Sequence, residues 1–284
     1  SNVAVQKVFA ANNGGQSLGS TPNDGLVYGD KMYVVVDGSN TVEVINKKTM
    51  QRIKQIKTTE LLGAAEGKSP RHIIAGNGHI FFTTYGGYVA AVDTVNFKLT
   101  AKYKVGSYPE GLAGYASSIV VANSDYAKGH GNISIINLGT GEVETRNVEG
   151  INNPQKVFIN NGNVYILDWV YYEGEYPNSV EKGESAIKYL AGNKATKVTD
   201  AYYASMLNGK LYIISNPYAV AKYSVCDLNS NPYQGTTTPL NLSEGVFSPA
   251  GIDVDPATGE IFVLSYNQGE NGYADYYSNG YVKR

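Results

Sequence analysis

The sequence predicts an all-β fold, a β-propeller of four-stranded antiparallel blades, and three observations carry that prediction. A unit of strand, tight turn, strand, turn and strand recurs along the 284 residues at spacings of 48, 39, 45, 47 and 48. A repeat of roughly 40 to 50 residues without helical pattern is that of propeller blades. The second strand of each unit is a continuous apolar run, which fits a strand covered on both faces. No stretch sustains a 3.6-residue periodicity. The one candidate, residues 58–68, is short and Gly-broken and is expected to make a helical turn in a loop.

The plainest unit is Ser69 to Phe97, SPRHIIAGNGHIFFTTYGGYVAAVDTVNF. Pro22, Pro70, Pro109 and Pro154 each stand nine residues before the residue that opens the second strand: Lys31, His79, Ser118 and Asn163. Ala201 takes the same place before Lys210, and Pro249 opens a unit two residues longer because of its turn DPATGE. The second strands are MYVVV (32–36), IFFTT (80–84), IVVAN (119–123), VYILD (164–168), LYIIS (211–215) and IFVLS (261–265). Third strands follow: VEVIN (42–46), YVAAVD (88–93), ISIIN (133–137), AIKYL (186–190) and KYSVCD (222–227). Several end in Asn or Asp, whose side chain caps the next turn. Outer strands are more polar: QRIKQIK (51–57), LTAKYKV (99–105) and VETRNV (143–148). Blades are therefore expected at about 22–57, 70–106, 109–149, 154–199, 201–242 and 249–284, in one propeller domain over 1–284. Val3 to Phe9 is expected as an orphan strand. It either supplies the outer strand of the last blade and closes a six-bladed ring, or belongs to a seventh blade shared between the termini. Closure matters because an open propeller leaves strand edges exposed.

Composition narrows the function. A formal charge of −2 with 17% charged residues gives no field for nucleic acid or an anionic membrane. The single cysteine, Cys226, leaves no internal disulfide framework or cysteine-built zinc site; it sits in an apolar run, as a buried structural thiol does. No apolar stretch approaches the roughly 18 to 20 residues that span a bilayer. The chain begins at Ser1, which predicts a processed or trimmed product. Tyr numbers 24 against 7 Phe and 1 Trp, so much of the aromatic surface is expected to meet water at one end.

In a propeller, loops leading into the inner strands share a face with loops joining strands two and three. The first set contributes Asn23, Arg71, Glu110, Gln155, Tyr202 and Ala250 at the channel mouth, polar in the main and different in each blade. They either bind a ligand or solvate the mouth. The second set is tight in blades one and two but long in blades three to six. It carries Tyr126, Trp169, Tyr171, Tyr172, Tyr176, Tyr218, Tyr266, Tyr273, Tyr276 and Tyr277, joined by Tyr108, Tyr202 and Tyr203. Aromatics gathered on one face mark binding, although long loops also pack their own aromatics as satellite cores. The candidate ligand-binding residues are Arg71, Tyr108, Glu110, Tyr126, Gln155, Trp169, Tyr171, Tyr172, Tyr202, Tyr218, Tyr266 and Tyr273. Enzymatic signals are weaker. His72, His79 and His130 show no ligand spacing, and no H-E-x-x-H or G-x-S-x-G motif is present. Asp24, Glu110, Asp125 and Asp168 are carboxylates that could gather at the mouth around a hard cation. No cofactor or catalytic residue is assigned.

The runs YGDKMYVVVDGSNTVEVINKKTM, SPRHIIAGNGHIFFTTYGGYVAAVDTVNFKL and YPEGLAGYASSIVVANSDY resemble the YncE-like, surface-layer-type propellers, and most of all a branch of exported lipoproteins of gut bacteria. The likeness covers nearly the whole chain. It implies a seven-bladed parent of which about six blades are here, an extracytoplasmic location, and a monomer that binds rather than catalyses. Similar proteins capture cobalamin for an outer-membrane transporter, so the resemblance implies a corrinoid-like small molecule and such a transporter as partners. A propeller enzyme of lactonase, lyase or hydrolase type, or a protein-interaction scaffold, is the alternative.

Overall fold

The computed structural model describes residues 7–218, 220–241, 248–266 and 281–284. They form two compact units, Ser1–Asn147 and Val148–Arg284. The first unit opens with a short helix, α1 (Val8–Asn12), and then builds three four-stranded antiparallel sheets. These are β1 (Pro22–Tyr28), β2 (Lys31–Val36), β3 (Thr41–Asn46) and β4 (Arg52–Lys57); β5 (Pro70–Gly76), β6 (His79–Thr84), β7 (Tyr88–Asp93) and β8 (Leu99–Lys104); and β9 (Pro109–Tyr115), β10 (Ser118–Asn123), β11 (Asn132–Asn137) and β12 (Val143–Arg146). A helical turn, α2 (Thr58–Leu62), lies in the loop after β4, where the sequence places one.

The second unit has β13 (Pro154–Asn160), β14 (Asn163–Asp168), β17 (Ala186–Ala191) and β18 (Lys194–Asp200) as one sheet. A separate hairpin, β15 (Tyr171–Glu173) with β16 (Val180–Lys182), is inserted between β14 and β17. A second sheet holds β19 (Tyr203–Leu207), β20 (Lys210–Ser215), β21 (Lys222–Asp227) and β22 (Thr236–Pro239). A third holds β23 (Pro249–Val254), β24 (Ile261–Ser265) and β25 (Tyr281–Lys283). Strand order follows chain order in every sheet, as in a propeller blade.

Packing between neighbouring sheets makes the core. Tyr33, Val35, Val42 and Val44 of the first sheet meet Ile73, Ile80 and Phe82 of the second. Phe81, Val89 and Ala91 of the second meet Leu112, Ile119 and Val121 of the third. In the second unit, Tyr165, Leu167 and Ile187 meet Ala204, Leu211, Ile213 and Cys226. The Cys226 thiol is buried, and burial pushes its pKa up, as for a structural cysteine. The apolar second strands β6 and β20 are thus covered on both faces, as expected, whereas Leu264 of β24 is exposed, so that strand is covered on one face.

Turn chemistry fixes the registers. Asn77-Gly78, Asn161-Gly162 and Asn208-Gly209 all have both residues at positive φ, the two-residue turn that matches strand twist. The Asn46, Asp93, Asn137, Asp227 and Asp255 side chains accept backbone N–H groups two residues on, capping the turns that follow. Ala116 departs from this chemistry. It sits exposed at φ +52°, where the equivalent turn of the first sheet has Gly29. An L side chain there is strained, so Ala116→Gly is expected to raise stability by about 0.5–1 kcal/mol in urea unfolding.

One expectation is corrected. Val8 and Phe9 are helical, not part of a strand; residues 3–6 of the expected strand lie outside the described residues. The reason is local. The Asn12 and Asn13 amides donate to the Val8 and Phe9 carbonyls, four residues back. Asn13 also donates to the Met50 carbonyl and accepts the Arg52 N–H. These bonds tie the segment to the outer turn of the first sheet.

Candidate functional site

Every proline-led inner strand is bulged just after the proline. Pro22 pairs with Val36 and Asp24 with Val35, so Asn23 is the extra residue. Gln155 and Ala250 are the extra residues of β13 and β23. In β5 and β9 the irregularity spans Arg71-His72 and Glu110-Gly111. A bulge re-aims side chains out of the pleat. The residue that closes each second strand then donates its N–H to the carbonyl just before the proline: Asp37 to Thr21, Tyr85 to Ser69, Ser124 to Tyr108, Trp169 to Asn153 and Tyr266 to Ser248. Two columns of side chains are thereby brought together in each blade.

In the first unit these columns form an ion network. Arg71 Nε donates to Glu110 Oε2 at 2.9 Å and Nη1 to Asp37 Oδ2 at 2.6 Å. The Tyr85 hydroxyl donates to Glu110 Oε1, and the guanidinium stands 4.7 Å from the Tyr85 ring centre. Burial works to lower the Arg71 pKa, but Glu110, Tyr85 and Asp37 outweigh it and hold the pKa above the ordinary arginine value. Burial first, and then Glu110, pushes the Tyr85 phenol far up. His72 Nδ1 lies 3.1 Å from Asp24 Oδ2 and Nε2 lies 3.7 Å from Glu110 Oε2. Tyr108 and Tyr126 pack over Tyr85 with ring centres 5.0 and 6.3 Å away, and 5.0 Å from each other. Tyr126 is held by three consecutive left-handed residues, Asp125, Tyr126 and Ala127. Such strain is usual where a side chain must be placed for function.

In the second unit the columns are aromatic. Trp169 stacks on Tyr202, ring centres 4.5 Å apart and 21° between planes, and its indole N–H donates to the Tyr202 carbonyl at 2.7 Å. Tyr203 and Tyr218 meet Tyr202 edge-on at 5.0 and 5.2 Å. The Tyr218 hydroxyl donates to that of Tyr202 at 3.3 Å. Burial chiefly, with Tyr218 beside them, raises both the Tyr202 and Tyr203 phenols; Tyr172 and Glu181 act on Tyr202, and Tyr266 on Tyr203. The β15–β16 hairpin carries Tyr171 and Tyr172 on opposite faces, bonded to Glu173 and Glu181.

The sequence candidates fall accordingly. Arg71, Tyr108, Glu110 and Tyr126 come together in the first unit, Arg71 and Glu110 paired with each other. Trp169, Tyr172, Tyr202, Tyr218 and Tyr266 come together in the second. Tyr171 lies on the other face of the hairpin. Gln155 is turned onto Asn153, its amide bonded to Oδ1 at 2.7 Å. Tyr273 lies outside the described residues. Of the four candidate carboxylates Asp24 and Glu110 meet at His72, whereas Asp125 lies 3.6 Å from His130 and Asp168 is buried on Lys188. Among the described residues no group of three or more His, Cys, Asp or Glu is placed to hold a metal ion. Asp37, Tyr85 and Glu181 were not among the candidates. The first two occupy the strand-closing column also held by Trp169 and Tyr266, which a blade-by-blade alignment would have exposed.

Repeated four-stranded antiparallel sheets in chain order define a β-propeller, and solved structures share that fold. Hydrazine synthase of Kuenenia stuttgartiensis is similar at a TM-score of 0.65 and 16% identity, over 93% of this chain and 83% of that one. A functionally unknown protein from Desulfotomaculum acetoxidans DSM 771 is similar at 0.58 and 12%, over 84% and 76%. BamB of Moraxella catarrhalis is similar at 0.52 and 12%, over 85% and 66%. At these identities the likeness is one of fold. The chain belongs to the DUF5074 family, a domain of unknown function whose profile matches residues 1–283. No curated protein matches the sequence.

Proposed function

We propose that this chain is a non-enzymatic, extracytoplasmic propeller that captures a ligand on the aromatic loops of its second unit. Tyr218 carries the reading. The indole N–H and the Tyr202 hydroxyl beneath it are bonded within the protein, yet Tyr218 itself is 71% exposed. A satellite core built only for stability would cover that ring. An exposed ring on a fixed aromatic base offers contact area at little entropic cost. Its hydroxyl and the nearby carboxylates suit a flat amphipathic ligand with amide groups.

Resemblance to YncE-like exported lipoproteins makes a corrinoid the favoured ligand, held by a monomer of one propeller domain and passed to an outer-membrane transporter. Cyanocobalamin titrated calorimetrically is expected to bind at micromolar protein. Tyr218→Ala and Trp169→Ala are each expected to weaken it by about tenfold or more, the scale of an interface anchor. No heat with the parent protein would reject the corrinoid. Unchanged affinity in both variants would reject this surface.

A second reading rests on His72 standing between Asp24 and Glu110, an arrangement that positions an imidazole for acid–base work. It would make the chain a hydrolase- or lyase-type propeller. Turnover of a lactone panel that His72→Ala abolishes would favour it.

A further inference from the structure

The three cation–π pairs among the described residues follow one pattern. The Arg52 guanidinium stands 5.1 Å from the Phe9 ring centre and binds Glu43 at 2.6 Å. Arg71 stands 4.7 Å from Tyr85 and binds Glu110 at 2.9 Å. The Lys102 ammonium stands 5.4 Å from Tyr88 and binds Glu66. Each cation lies against the negative face of a ring and an anionic oxygen at once, so the two attractions add. All three belong to the first unit.

The β15–β16 hairpin of the second unit has the ring and the carboxylate without the cation. Tyr172 and Glu181 are direct partners in the register, so their side chains share a face. The Tyr172 hydroxyl donates to Glu181 Oε2 at 3.1 Å, which polarises the phenol toward the negative. Tyr172 is 51% exposed, and Tyr218 lies within electrostatic reach of it. Among the described residues no Lys or Arg binds Glu181 or stands over Tyr172. Lys182 is on the other face, opposite Tyr171. Residues 169–185 hold four glutamates against one lysine, a net charge of −3, and Glu184 is already bound by Lys197 at 2.7 Å.

We infer that Tyr172 and Glu181 form a docking site for a lysine or arginine side chain of a protein partner. Charge decides the sign of the occupant: the unpaired Glu181 carboxylate on this face, in a segment of net charge −3, repels phosphate, and with it nucleic acid and anionic lipid. Shape decides its size. The hairpin strands are exposed along nearly their whole length, so the site is a platform and not a cage. A free small cation gains one weak contact on a platform, whereas a side chain on a partner brings its neighbours with it. The inference is independent of what the Trp169–Tyr202 stack binds.

The test is calorimetric titration at low salt with an eight-residue peptide of alternating arginine and glycine. Glu181→Gln and Tyr172→Ala are expected to weaken binding by about fivefold each, and Glu175→Gln, which removes an equal charge from the hairpin without a ring, by less than about twofold. Equal weakening by Glu175→Gln and Glu181→Gln would reduce the effect to general acidity and overturn the site. Absence of peptide binding would also overturn it. Tetramethylammonium binding as tightly as the peptide would overturn the protein side chain as occupant.

Discussion

Replacing Lys188 with Met is expected to lower stability by about 3–5 kcal/mol, the cost of leaving a buried charge without its partner. Asp168 is 0% exposed and Lys188 5%. The Lys188 ammonium donates to Asp168 Oδ2 and to the Gly150 carbonyl, both at 2.7 Å. Asp168 also accepts the N–H groups of Asn152 and Asn153. Burial pushes the Asp168 carboxyl up, and the ammonium and the two amides pull against it. Lys188→Met removes the strongest opposing charge, so the folded-state pKa rises further above the unfolded value. A carboxyl raised in this way binds more protons folded than unfolded, so the variant's stability falls as pH rises through the window between the two values. Urea midpoints at several pH values read both effects. Adding Asp168→Asn should recover much of the loss and flatten the pH dependence, because the amide oxygen still accepts the two N–H groups without charge. The lock also serves the site. Asp168 immediately precedes Trp169, and the Asn153 it organises accepts the Trp169 N–H at 3.0 Å.

Arg71→Met is expected to cost about 2–3 kcal/mol in urea unfolding. The Arg71 side chain of the second sheet binds Asp37 of the first and Glu110 of the third, while its carbonyl accepts the Asn23 amide. Removing the guanidinium leaves two close carboxylates without their shared cation. Glu110 is nearly buried, which keeps water from screening it. Arg71→Lys keeps the charge but loses the fork that reaches both carboxylates, so it should recover less than half of the loss. The same geometry makes Arg71 first a clamp between blades of its unit.

The fold was legible because its determinants are local and periodic. A proline, an apolar run and an Asn-Gly turn recur often enough that each second strand falls where its sequence places it, from Lys31–Val36 to Ile261–Ser265. The helix at Val8–Asn12 was not legible, because Asn12 and Asn13 side-chain bonds outweigh the β-propensity of its apolar residues. The aromatic candidate cluster of the second unit was legible by composition, since tyrosines concentrated in long loops have few other places to go. The ion network of the first unit was less so. Arg71 meets Asp37 and Glu110 across 34 and 39 residues, and only the bulges after each proline aim those side chains at one another. Asp168 illustrates the limit: the sequence shows a strand-ending carboxylate like any other, and its burial against Lys188 is a property of packing.

Capture of a ligand by the exposed aromatic cluster of the second unit, as proposed, would leave its footprint on the backbone there. Hydrogen exchange with and without cyanocobalamin tests it most directly, since protection reports where a ligand sits. Slowed exchange confined to the backbone around Trp169–Tyr172, Tyr202–Tyr203 and Tyr218, and lost in Tyr218→Ala, is the predicted result. Protection centred instead on Arg71, Glu110 and Tyr126 of the first unit, or binding without protection at the aromatic cluster, would contradict it.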